Sequence, residues 1–260
     1  MSAEAVFVAV GEETFSATEL ARGPWDRAAQ HGGAPAALLM RAFERLPASD
    51  ELALARVTYE FLRAVPLAEL EVRASVVRAG RRVQLLEASI LSSDSTEVVR
   101  ARALQVRRAE ADRASEPVRR PPGPEEGTPS DFSPAHRPMF GTDAMEIRFV
   151  AGAFSGLGPS TGWFRLRVPL VAGEAPSALE SLAAAADFGN GISAVLPWDG
   201  HLFINPDLTV YLERPPVGQW ICLQAETRIA ADGVGIAESQ LFDKQGHVGR
   251  ATQALLVARR

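Results

Sequence analysis

An internal repeat constrains this chain more than any other feature of its sequence. The segments "RVTYEFLRAVP" (56–66) and "LEASILSSDSTEVVRARALQVRR" (86–108) are echoed by "DLTVYLERPP" (207–216) and "AESQLFDKQGHVGRATQALLVARR" (237–260). Thr58 recurs as Thr209, Arg63 as Arg214 and Glu87 as Glu238, each 151 residues apart. Past the next turn the spacing falls to 150, matching Val98 with Val248 and Arg100 with Arg250. A constant offset over four strand-like segments marks a duplication, so a fold that suits one half must suit the other.

Each copy has the same order of elements. A hairpin-like region opens it: "AVFVAVGEETFSATEL" in the first half, "MEIRFVAG" with "GWFRLRVPL" in the second. A small-residue helix follows, "GGAPAALLMRAFERL" ending at Pro47, and then "APSALESLAAAADFG". Alternating strands come next, separated by the turn signals "RAGRR", "SSDS", "AADG" and "DKQG". One helix followed by antiparallel strands predicts an α+β unit whose sheet packs over the helix. Ala183 to Ala186 would let a curved sheet close tightly around the second helix, which should be buried on most sides. Between the copies, 107–138 is rich in Pro, Glu and Arg, lacks apolar periodicity and reads as an exposed linker. The expected organisation is a unit over 1–108, a linker over 109–138 and a second unit over 139–260.

Composition narrows the function classes. With 47% hydrophobic residues, 260 residues supply enough apolar area for one or two cores. A net charge of −5 argues against a nucleic-acid binder. Lys244 is the only lysine, and the Arg bias reads as coding habit more than recognition. The single cysteine, Cys222, excludes an intrachain disulfide, and its alternating setting "WICLQAET" reads as a strand with a buried thiol. No apolar run approaches the roughly 20 residues of a membrane span. The N-terminus lacks the pattern of a signal peptide, so a reducing cytoplasm is the expected setting.

Two polar residues stand out in apolar surroundings. Asp187 follows four alanines and precedes Gly189 and Gly191 in "LAAAADFGNGIS". A carboxylate there needs hydrogen-bond partners or a water, and could orient or deprotonate that water; it could equally cap a loop or pair with an arginine. Gln253 in "ATQALLV" shares a strand face with Leu255 and Val257, where its copy in the first half has Ala103. Other signals are weaker. "GPSTG" (158–162) fits the Gly-x-Ser-x-Gly expression, yet "WFRLRVPL" after it reads as a strand where a nucleophile elbow needs a helix. His31, His136, His201 and His247 are scattered without ligand-like spacing, so no metal site is expected. Arg63 and Arg214 read as structural strand ends.

The helix opening "HGGAPAALLMRAF", the pair "ADFGNGIS" and "FINPDLTVYLERPP", and the ending "GRATQALLVARR" resemble the acyl-CoA thioesterase II group. The resemblance implies a double hotdog, two helix-wrapping units fused in one chain, and hydrolysis of acyl-CoA to free acid and CoA. It implies a water held by three side chains, which fall on Asp187, Asn205 and Gln253. Better-known members carry Thr at the position of Asn205, so this chain departs there; its copy in the first half is Leu54. Polar groups in one copy and apolar ones in the other are what a single surviving site would leave. In "HGG", helix-start amides at Gly32 or Gly33 could polarise the thioester carbonyl or lie along the substrate path, with His31 lining the same opening. Asp26 and His31 have the spacing of hotdog hydratases without their fuller signature. No nucleotide cofactor is implied, and a homodimer or larger oligomer is. A module that binds acyl-CoA without turnover is the alternative.

Overall fold

The computed structural model describes residues 4–47, 49–110, 115–134 and 137–259. The first half contributes β1 (Phe7–Ala9), β2 (Thr14–Ala17), α1 (Gly33–Glu44), β3 (Leu52–Phe61), β4 (Glu69–Arg78), β5 (Val83–Ser92) and β6 (Glu97–Arg107). After β7 (Thr128–Pro129), the second half supplies β8 (Met145–Ala151), β9 (Ser160–Leu166), α2 (Ala178–Ala186), α3 (Gly189–Ile192) and β10 (His201–Ile204). It ends with β11 (Asp207–Leu212), β12 (Ile221–Ile229), β13 (Val234–Asp243) and β14 (Gly246–Arg259).

The strands join in one sheet of order β1-β2-β4-β5-β6-β3-β11-β14-β13-β12-β9-β8-β7, with β10 on β14. Outward from its centre, the series β3, β6, β5, β4, β2, β1 mirrors β11, β14, β13, β12, β9, β8. The repeat is therefore a pseudo-twofold. It passes between β3 and β11, where Thr58 faces Thr209 and their hydroxyls lie 3.2 Å apart. This is the α+β double hotdog that the resemblance implied.

Alternation along the strands sends one row of side chains inward, so that Leu86, Ala88 and Ile90 of β5 are buried between more exposed neighbours. The two helices pack on each other inside this shell. Ala183 to Ala186 are fully buried, and their small side chains admit the close approach. Ser177 caps α2 in a reciprocal box with Glu180, fixing where the helix starts.

Three sequence signals resolve in the fold. Ser160 opens β9, and its hydroxyl donates to the Ile192 carbonyl, so "GPSTG" forms no nucleophile elbow. Cys222 is fully buried, and burial pushes its thiol far up. The segment between the halves is exposed from Ser115 to Arg120 and then joins the second half. Trp163 donates Nε1 to the Pro122 carbonyl at 2.7 Å, β7 pairs with β8, and Phe132 stacks on Phe154 at 4.2 Å. Isolated anchors of this kind leave no periodicity for a sequence reading to find.

Candidate active site

Asp187 ends α2, and its backbone stays helical at φ −74° before the glycines turn the chain into α3. Only 5% exposed, it faces the start of α1 from the other half. Gly32 packs so closely that a Cβ there would stand 2.7 Å from Asp187 Oδ2. That contact explains a glycine at a position whose φ of −58° suits any residue.

The structure brings Asp187, Asn205 and Gln253 together. Asn205 Nδ2 donates to Asp187 Oδ1 at 2.8 Å and Gln253 Nε2 reaches the same oxygen at 3.3 Å. Gln253 Nε2 also donates to the Asp187 backbone carbonyl at 3.2 Å, while its Oε1 accepts from the Asn190 amide at 3.0 Å. Gln253 is thus satisfied on both ends, 2% exposed and not part of the cavity wall. It positions Asp187 from behind. Asn205 lines the cavity and accepts from Asn190 Nδ2 at 3.4 Å. Asn190, which sequence reasoning passed over, ties both amide side chains together; its only signal was its place between Gly189 and Gly191.

His31 approaches from the first half, with Nδ1 3.1 Å from Asp187 Oδ2. The same nitrogen lies 3.0 Å from the Gly33 amide. One in-plane position on Nδ1 holds a lone pair or a proton, not both. With a lone pair it accepts from Gly33; with a proton it donates to Asp187 and releases the Gly33 amide. Phe188 stacks on the imidazole at 4.3 Å and Phe140 lies at 5.3 Å, fixing the ring. Asp26, its neighbour in sequence, instead accepts from the Ala28 amide through Oδ1 at 2.8 Å.

Asp187, Asn190, Asn205, His31 and Gly32 stand in the wall of a cavity of about 400 Å³. Most of the wall is apolar: Phe61, Val65, Met139, Phe154 and Phe188 contribute, with Trp25 and Trp198 in contact at 4.9 Å. Two buried polar atoms of the wall, Gln30 Oε1 and Trp198 Nε1, have no partner among the described residues. No group of metal-ligating side chains occurs among the described residues; His136 lies outside them. An apolar chamber with one buried carboxylate, held by neutral donors and facing helix-start amides, suits water-dependent cleavage of an apolar ester or thioester.

Two family models match the chain: the acyl-CoA thioesterase N-terminal domain over residues 21–106 and the C-terminal domain over 117–257. The chain belongs to the acyl-CoA thioesterase family. Solved structures support the same fold. A hot dog protein of Alicyclobacillus acidocaldarius is 18% identical, with 99% of this chain and 97% of that one covered at a TM-score of 0.74. An acyl-CoA thioesterase II of Mycobacterium marinum is 13% identical, with 98% and 95% covered at a TM-score of 0.68. Among curated proteins none matches significantly. Among the described residues no helix of this thioesterase-family chain is long and apolar enough to cross a membrane.

Proposed function

We propose that the chain hydrolyses acyl-CoA thioesters with a water activated by Asp187. The observation that carries this reading is the carboxylate itself, buried at the wall of an apolar cavity and held by side chains of both halves. Asn205 and Gln253 occupy Oδ1, leaving Oδ2 to face the helix start. Asp187 takes a proton from the water as its oxygen attacks the thioester carbonyl. The Gly32 amide, at the start of α1, supports the negative charge that develops on the carbonyl oxygen. When Nδ1 of His31 carries a proton toward Asp187, the Gly33 amide is freed to assist. The tetrahedral intermediate then collapses, the C–S bond breaks, and the proton held by Asp187 passes to the departing sulfur. Gln30 Oε1 and Trp198 Nε1 offer an acceptor and a donor to the amides of the pantetheine arm.

The test is thiol release from a panel of acyl-CoA esters, wild type beside Asp187→Ala, with folding checked by circular dichroism. Turnover falls by at least about a hundredfold in the folded variant. Wild-type inactivity with saturable acyl-CoA binding supports the binding-module reading instead. The His31–Asp187 contact also favours a second reading, hydration of an unsaturated acyl thioester, since that chemistry needs an Asp–His pair in the cavity. Loss of the unsaturated chromophore without thiol release would establish it.

A further inference from the structure

Two arginines at equivalent positions have come to different ends. Arg214 stands two residues past β11 and clamps Asp243, the last residue of β13, through Nη1–Oδ2 at 2.6 Å and Nη2–Oδ1 at 2.7 Å. The Asp243 side chain is fully buried and also accepts from the amides of Val217 and Gln245, each at 2.8 Å. Burial opposes its ionisation, but the Arg214 guanidinium and those amides outweigh it and hold the carboxyl below its ordinary range. Arg214 is therefore a structural strand end.

Arg63 stands two residues past β3 in the same backbone setting. The amide of Leu62 donates to the Val98 carbonyl as that of Glu213 donates to the Val248 carbonyl. Yet neither partner of the clamp is present. β5 ends in Ser92 where β13 ends in Asp243, and Pro66 stands where Val217 supplies an amide. The turn after β5 is one residue longer, which accounts for the change of offset from 151 to 150. Its carboxylate, on Asp94, is used by the Ser92 hydroxyl and the Thr96 amide.

Without a clamp, the loop after β3 bonds instead to the segment around Gln30, which lines the cavity. Gln30 donates its amide to the Val65 carbonyl at 2.9 Å and Nε2 to the Pro66 carbonyl at 2.7 Å, and the Leu67 amide reaches Ala28 at 2.7 Å. Arg63 is exposed, lines the cavity, and is the only arginine or lysine in its wall among the described residues. Its guanidinium has no hydrogen-bond or ion-pair partner among them. A fork of five donors at the rim of an apolar chamber matches phosphate or carboxylate oxygens.

We propose that Arg63 binds an anionic oxygen group of the thioester at the cavity rim: a phosphate of the CoA carrier or a carboxylate on the acyl part. This rests on the reading of the cavity as a thioester site. The experiment compares KM and kcat of wild type, Arg63→Ala and Arg63→Lys on four substrates. These are a neutral acyl-CoA, a carboxylate-bearing acyl-CoA, and the N-acetylcysteamine thioester of each acid, which lacks phosphates. Arg63→Ala raises KM about tenfold wherever the anion is present, with partial recovery in Arg63→Lys, and changes kcat less. A penalty on both CoA esters that shrinks on both N-acetylcysteamine esters assigns the phosphate. A penalty that follows the carboxylate on either carrier assigns the acyl group. An unchanged KM on every substrate overturns the proposal and leaves hydrolysis intact. If the wild type turns over nothing, calorimetric titration with acyl-CoA decides: a tenfold weaker Kd in Arg63→Ala supports the proposal without hydrolysis, and equal Kd values overturn it.

Discussion

At the positions where the second half places Asn205 and Gln253, the first half places Leu54 and Ala103, the latter fully buried in the core. The backbone correspondence is close: Gln253 lies opposite Ala237 in β13, as Ala103 lies opposite Leu86 in β5. The first half in turn gives His31 and Gly32 at its helix start, and its Arg63 has no counterpart of the clamp that holds Arg214. The repeat provides two matching scaffolds, and each carries groups that the other lacks. Asp187 and its amide partners come from one copy and the groups facing its second oxygen come from the other, so the surroundings of the carboxylate are built from both halves. The clamp is present in the second half, whose Arg214 lies outside the cavity wall, and absent in the first, whose Arg63 lines it.

Several changes would break or sharpen this contrast. Gly32→Ala inserts a methyl where the halves meet at the carboxylate, and is expected to cost turnover about a hundredfold or more while leaving the chain folded. Steady-state thiol release with a thermal melt measures both. A variant as active as wild type would separate Gly32 from the site.

Asp243→Asn breaks the clamp and is expected to lower stability by roughly 2 kcal/mol in denaturant unfolding, whereas Arg63→Ala changes it by less than about 0.5 kcal/mol. Because the Asp243 carboxyl is held below its ordinary value of 3.8, its contribution is fully present above that pH. It is lost as pH falls through the depressed folded-state value. The stability gap between wild type and Asp243→Asn should therefore close on acidification below about pH 4. A gap independent of pH would mean that the clamp does not depend on the ionised carboxylate. The smallest effect expected is from Ser92→Asp, which offers Arg63 the partner it lacks. KM for the anionic thioester should rise a few-fold, and not at all in an Arg63→Ala background.

Much of this was legible in the sequence. The repeat gave the symmetric sheet, and its breaks at Asn205 and Gln253 marked polar residues that do meet Asp187. Alternation shows which face Gln253 occupies but not that its amide is consumed behind the carboxylate, because that depends on the Asn190 amide in a separate helix. The His31–Asp187 contact joins the start of one helix to the end of another, and no local pattern encodes such a meeting. Arg63 and Arg214 look alike in their own segments. Their fates are set by Ser92 and Asp243, about 30 residues further on in each copy. Phe132 escaped notice because a single aromatic side chain packing on Phe154 carries no periodicity.

The most direct test of a water-activating carboxylate shared between the halves is a crystal structure of Asp187→Asn with an intact acyl-CoA bound. The expected result has the acyl chain in the apolar cavity and the thioester carbonyl oxygen within hydrogen-bond distance of the Gly32 amide. A water should stand between residue 187 and the carbonyl carbon, about 3–3.5 Å from the carbon. A thioester seated with its carbonyl turned away from Gly32, or with no room for a water beside residue 187, would contradict it.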